Sequence, residues 1–302
     1  MARMSSTSRT AAALLLVALG GAAHAQQDDA TSFAKWRAER LEALTGETGW
    51  LTLVGLYWFK DGVNTFGRAR ANAVRIDNPQ LNARAGRFVV GNGGLRFESA
   101  KGGCVRLEGS AVTSIAITPD TGGEPTLLTC GTLEFFVIER GGKFGLRVRD
   151  EASRARREFR GLEYFAFDPA WVVDARFDPY EPHRHVPIVN VLGMELDMES
   201  PGAIVFARGG REWRLDTLLE GPDAETLFVM FADGTSSHET YGAGRFMYIP
   251  LPTAGRVVVD FNRAHSPPCA FTAYATCPLP PAQNRIALRV DAGERYDGAS
   301  RH

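Results

Sequence analysis

The sequence has no long apolar run, no large excess of charge of either sign, and none of the short signatures that announce a hydrolase or a nucleotide site. Its one apolar stretch near the start, Ala11 to Leu19, is far shorter than the roughly 20 apolar residues a helix needs to cross a bilayer core. Stable membrane insertion is therefore not expected. A formal net charge of −1 gives no electrostatic reason to expect nucleic acid or an acidic membrane as a partner. No Gly-x-Ser-x-Gly elbow, His-Glu-x-x-His helix or Walker-type loop occurs. Nothing in the sequence names a cofactor, and no metal site is expected.

What is present first is an export signal. Arg3 and Arg9 precede the apolar run, and Ala23-His24-Ala25 supplies the small-x-small pattern before Gln26, so residues 1–25 are expected to be a cleaved signal peptide and the protein to be periplasmic or secreted. All four cysteines, Cys104, Cys130, Cys269 and Cys277, fall in the mature chain, in a compartment that permits disulfides. Four cysteines allow three connectivities. Proximity in sequence makes Cys104 with Cys130 and Cys269 with Cys277 the simplest pairing.

One helix is legible, within an N-terminal helical segment over residues 26–48. Phe33, Trp36, Arg40, Leu41 and Leu44 recur at helical spacing, Thr31 or Ser32 can cap its start, and Gly46 can end it. From Trp50 the texture is that of strands: Leu51-Thr52-Leu53-Val54, Arg87-Phe88-Val89-Val90, Leu133 to Ile138 and Gly145 to Arg149 are short and rich in β-branched or aromatic residues. Gly93-Gly94, Gly141-Gly142 and Gly209-Gly210 stand between such runs, where tight hairpins need positive φ. The expectation is a mainly β protein, with antiparallel sandwich or barrel-like sheets and one N-terminal helix. The β-rich domain would run over residues 49–302. A charged stretch at 150–160 marks a candidate seam between two sub-domains; it reads as a solvated loop or short helix, with an anionic docking site as the sharper alternative.

Residues able to do chemistry crowd between Asp233 and Glu294. Asp233-Gly234-Thr235 is followed by Glu239-Thr240-Tyr241-Gly242-Ala243-Gly244-Arg245 and Asp260-Phe261-Asn262. Then come Pro267-Pro268-Cys269-Ala270-Phe271-Thr272, Cys277-Pro278-Leu279-Pro280-Pro281 and Ala292-Gly293-Glu294. In this order the blocks resemble the family of unknown function DUF1684, with weaker echoes from Gly49-Trp50-Leu51 onward, so that the resemblance covers about residues 33–295. It implies kinship without an established activity. His265 departs from it, since the family usually carries tyrosine there. Relatives without export signals keep the paired cysteine blocks, which leaves a thiol or metal role open beside the bridge.

A guanidinium beside carboxylates and a phenol can grip an anionic group in a bidentate manner. Asp233, Thr240, Tyr241, Arg245, Asp260 and Asn262 are therefore the candidate ligand-binding residues. The bland alternative is a buried polar network in which Asp233 and Thr235 satisfy a turn and Arg245 neutralises Asp260. Cys269 and Cys277, eight apart and flanked by prolines, are expected to form a disulfide-closed loop; buried thiols or a ligand role are the alternatives. His183 and His185 would share one face of a strand, as metal ligands can, but Pro182 and Pro187 suggest an exposed edge. The resulting functional expectation is an exported protein with a polar pocket for a small anionic or polar ligand, with or without catalysis. The alternatives are a metal-dependent hydrolase using histidines and carboxylates, and a structural envelope protein.

Overall fold

The computed structural model describes residues 30–91, 93–296 and 298; the expected signal peptide lies outside the described residues. Helix α1 covers residues 30–45. Phe33 and Leu44 are buried, whereas Leu41 is 40 % exposed and faces away from the core. Thr31 and Ser32 lie inside the helix rather than capping it, and the Ser32 hydroxyl instead accepts a hydrogen bond from Arg263 at 2.6 Å. Gly46 ends the helix, its amide closing on the Glu42 carbonyl.

The chain from Leu53 to Asp150 forms two sheets. Their strands are β1 (Leu53–Trp58), β2 (Gly62–Gly67), β3 (Val74–Arg75), β4 (Gly86–Gly91), β5 (Gly94–Ser99), β6 (Arg106–Leu107), β7 (Ser110–Ala111), β8 (Ser114–Ala116), β9 (Leu128–Cys130), β10 (Leu133–Arg140) and β11 (Lys143–Asp150). One sheet runs β1-β11-β10-β9-β6-β7 and the other β3-β2-β4-β5-β8. All pairings are antiparallel except the two-residue contact of β2 with β3. Phe66, Phe88 and Phe97 from the second sheet meet Phe135 of the first, with Phe66 and Phe135 edge to face at 5.0 Å. Each such ring contributes about 1.5 to 3 kcal/mol by leaving water.

After a short helix α2 (Arg154–Glu158) come β12 (Val172–Val189), β13 (Glu195–Arg208), β14 (Arg211–Thr217), β15 (Thr226–Phe231), β16 (Arg245–Pro250) and β17 (Arg256–Asp260). They form a sheet β14-β13-β12-β17 and a separate β15-β16 hairpin. A bridge between Leu218 and Phe228 joins the hairpin to the end of β14. Trp171, Phe206, Phe231 and Phe261 fill the core between them. Gly141-Gly142 and Gly209-Gly210 have φ of 56° and 70°, and 61° and 72°. These left-handed pairs close the two-residue hairpins β10-β11 and β13-β14, whose twist demands that geometry. The architecture is thus the mainly β, antiparallel arrangement with one N-terminal helix that the strand pattern implied.

The C-terminal segment reaches back across both sets of sheets. Thr272 donates to the Leu53 carbonyl at 2.9 Å, and Ala270 and Phe271 pack with Leu44 of α1 and Leu51.

Candidate functional site

The six residues expected to build one pocket fall into three separate settings. Asp233 follows β15 in a turn, where its carboxylate accepts from the Thr235 hydroxyl at 2.9 Å, the Thr235 amide at 3.2 Å and the Val290 amide at 2.8 Å. Arg245, the first residue of β16, donates to that carboxylate at 3.2 Å, to the Val290 carbonyl at 3.1 Å and to the Ala292 carbonyl. Thr240 joins through the Thr235 hydroxyl at 3.0 Å. Arg245 is 0 % exposed. Burial pushes its pKa down from the ordinary arginine value, opposed chiefly by the neighbouring Asp233 charge. The guanidinium also lies over the Phe231 ring at 5.1 Å, and its Nε is buried without a hydrogen-bond partner; the bonds it does make are those of a buried polar network. Its carboxylate partner is Asp233, where Asp260 was expected.

Asp260 and Asn262 stand elsewhere. Asp260 accepts from the Asn262 amide at 3.0 Å and from Arg263 at 3.1 Å, capping the turn Phe261–Arg263. Asn262 exchanges hydrogen bonds with the main chain of Asp168 at 3.0 and 3.1 Å. Tyr241 belongs to the cysteine loop: its hydroxyl donates to the Cys269 carbonyl at 3.2 Å, and burial raises its pKa to about 12.

Cys104 and Cys130 are bridged, as their proximity suggested. Cys269 and Cys277 are not: both are free thiols, which corrects the expected loop disulfide. Each sulfur instead accepts a hydrogen bond from the other residue's amide, Cys269 N to Cys277 Sγ at 3.1 Å and Cys277 N to Cys269 Sγ at 3.4 Å. The Cys277 carbonyl is held by the Val191 amide at 3.0 Å, so the main chain is fixed on both sides of the pair while the sulfurs remain unjoined. The two thiols polarise in opposite directions. The hydrogen bond from Cys277, the Cys277 amide and the charge of Arg147 lower the Cys269 pKa against its burial. Sharing its proton with Cys269, and then burial, raise that of Cys277.

Arg147 of β11, which the sequence marked only as part of the strand-like run Gly145 to Arg149, completes this group. It is buried, donates to the Thr276 hydroxyl at 3.1 Å, lies over the Trp50 ring at 5.4 Å, and leaves its Nε without a partner. Burial lowers its pKa to about 10. The available signal was a charged residue alternating with Leu146 and Val148 in mid-strand, on the face opposite the core.

A second polar group lies under α1. Arg40 pairs with Glu294 at 3.1 Å and donates to the Ser266 carbonyl at 2.8 Å. Glu294 is fully buried, and burial raises its pKa against the lowering effect of Arg40. His265 sits alongside, its ring stacked on Tyr248 at 6.2 Å and tilted against Trp36 at 6.1 Å. Burial, and then Arg40, depress its pKa to about 3, so it is a neutral packing residue at ordinary pH. His183 and His185 pair across β12 and β13 with Glu199 and Asp197 respectively. Among the described residues no group of three or more His, Cys, Asp or Glu is arranged to hold a metal ion.

A cleft of about 940 Å³ opens beside the segment that follows Cys269. Its walls are Leu51, Leu53 and Val54, α2 and the segment after it, the loop residues Phe271 to Tyr274, and Arg295 with Tyr296.

The fold and its buried networks thus define a mainly β protein whose polar motifs lock a C-terminal segment onto the sheets. Residues 157–295 match the family described as a protein of unknown function, DUF1684. The matched segment is the later part of the 33–295 span expected and contains all the C-terminal motif blocks. A solution NMR structure of an uncharacterized protein from Haloarcula marismortui is 31 % identical, over 47 % of this chain and 80 % of that one, with a TM-score of 0.41. No curated protein matches the chain.

Proposed function

We propose that the protein is an exported binding protein that takes a small anionic or polar ligand in the 940 Å³ cleft. The observation that carries this reading is Arg160. It is exposed on the cleft wall and makes no hydrogen bond or ion pair among the described residues. The other cleft arginines are engaged: Arg154 with Glu158 at 2.9 Å and Arg295 with Glu163 at 3.9 Å. A free guanidinium in a cleft also lined by Phe271 and Tyr274 suits a ligand with a carboxylate or phosphate at one end and an apolar body. Export rests on the residues before Gln26.

Titration calorimetry with a panel of aromatic carboxylates and phosphate esters tests the reading. A binder should emerge whose affinity falls about tenfold or more in Arg160→Ala, since a charge-assisted hydrogen bond contributes on the order of 1.5 to 3 kcal/mol. Equal affinity in the variant, or no binder from the panel, overturns it.

A further inference from the structure

Cys269 and Cys277 are not among the residues that line the cleft. Three observations meet at this pair. Two unbridged thiols hold reciprocal amide–sulfur hydrogen bonds of 3.1 and 3.4 Å on a backbone pinned by Tyr241 and Val191. The two differ in access, Cys269 being partly exposed and Cys277 5 % exposed. Arg147, 7 % exposed, brings a buried positive charge to the pair and has one donor unused. A purely structural pair needs neither the asymmetry nor the charge. An attacking and a resolving thiol need both, because the thiolate is the nucleophile and must be reachable, while its partner must keep its proton until the second step.

We propose that Cys269 and Cys277 form a redox-active dithiol that reduces small-molecule disulfides, with Cys269 attacking and Cys277 resolving. The Cys269 thiolate attacks one sulfur of the disulfide, whose S–S bond breaks. One small thiolate departs, and Cys269 is left in a mixed disulfide. Cys277 then loses its proton to the departing thiolate and attacks the Cys269 sulfur. The intramolecular S–S bond forms, the mixed-disulfide S–S bond breaks, and the second small thiolate leaves and takes from solvent the proton that Cys269 had given up. The protein dithiol is oxidised by two electrons and the small disulfide is reduced to two thiols. A small substrate fits better than a protein disulfide because Cys269 is only partly exposed, with Pro267 and Pro268 before it and the Tyr241 hydroxyl on its carbonyl. The groups facing the thiols are Arg147 from β11 and Tyr241 from the turn before β16. Neither is negatively charged at neutral pH, so the thiolate meets no like charge.

The full chain, reduced mildly enough to leave the Cys104–Cys130 bridge, is exposed to oxidised glutathione, trapped with iodoacetamide at intervals, and mapped by mass spectrometry. The wild type should form the 269–277 disulfide and return to the dithiol on mild reduction. Cys277→Ser should instead accumulate a stable glutathione adduct on Cys269. Cys269→Ser should react at Cys277 at least about tenfold more slowly than Cys269 does in Cys277→Ser, as the protonated and buried thiol requires. Circular dichroism on both variants identifies any that fail to fold. In that event the wild type decides alone, by whether iodoacetamide labels Cys269 first. Adducts that appear first on Cys277, equal labelling of the two thiols, or thiols that react only after unfolding in urea would overturn the proposal.

Discussion

Arg40 of helix α1 and Glu294, residues separated by most of the described chain, form a buried ion pair in which Nε and Oε2 are 3.1 Å apart and the side chains are 10 % and 0 % exposed. The pair ties the N-terminal helix to the end of the family's C-terminal motif. Arg40→Met should lower stability by about 3 to 5 kcal/mol, because the carboxylate left behind is buried without its charged partner. Adding Glu294→Gln should restore part of that loss. Urea denaturation of the two single variants and the double variant checks it, and strict additivity would count against direct coupling.

Arg245 and Asp233 make a similar case without access to solvent. Each single replacement, Arg245→Met or Asp233→Asn, should destabilise the fold by about 3 to 5 kcal/mol, and the double variant should fall well short of the sum. Ligand binding in the cleft should be unaffected in any variant that still folds. A selective loss of ligand affinity in Asp233→Asn, with stability intact, would restore the pocket reading of these residues.

The bridge between Cys104 and Cys130 closes a loop of sequence separation 26. Replacing both by serine should cost about 3 kcal/mol, chiefly by freeing the unfolded chain. Thermal denaturation of that variant in oxidising buffer measures the loss. The corresponding Cys269→Ser and Cys277→Ser pair should cost far less, since no bond joins those residues in the reduced protein.

His265 gives the acid side of the stability profile a defined slope. Its folded pKa is depressed to about 3 from an ordinary value of 6.5, so the fold accepts the neutral ring. The stabilisation is fully present above pH 6.5 and is lost as pH falls towards 3. His265→Phe, which keeps a ring against Tyr248 and carries no proton, should show a shallower loss of stability across that window. Urea midpoints of the two proteins at several pH values decide it, and parallel profiles would refute the assignment.

Much of the architecture was legible because its determinants are local. The period of Phe33, Trp36, Arg40 and Leu44 describes a helix face, and Gly141-Gly142 and Gly209-Gly210 describe hairpin turns, through backbone preferences that neighbouring residues set. The DUF1684 relationship was legible for the same reason, as ordered short blocks. Leu41 escaped, since helical spacing alone does not say where a stripe's edge meets solvent.

The partners of the buried charges were decided only by the tertiary structure. Asp233 and Asp260 look equivalent in sequence as mates for Arg245, yet one meets it across a turn and the other caps the Phe261–Arg263 turn. Arg40 finds Glu294 across the molecule. Whether two cysteines eight residues apart bond, or face each other through their amides, depends on how Tyr241, Val191 and Arg147 hold the loop. The residue types and their order set what chemistry was available. Which groups lost their water together, and so had to satisfy one another, was set by the packing of sheets and segments far apart in the chain.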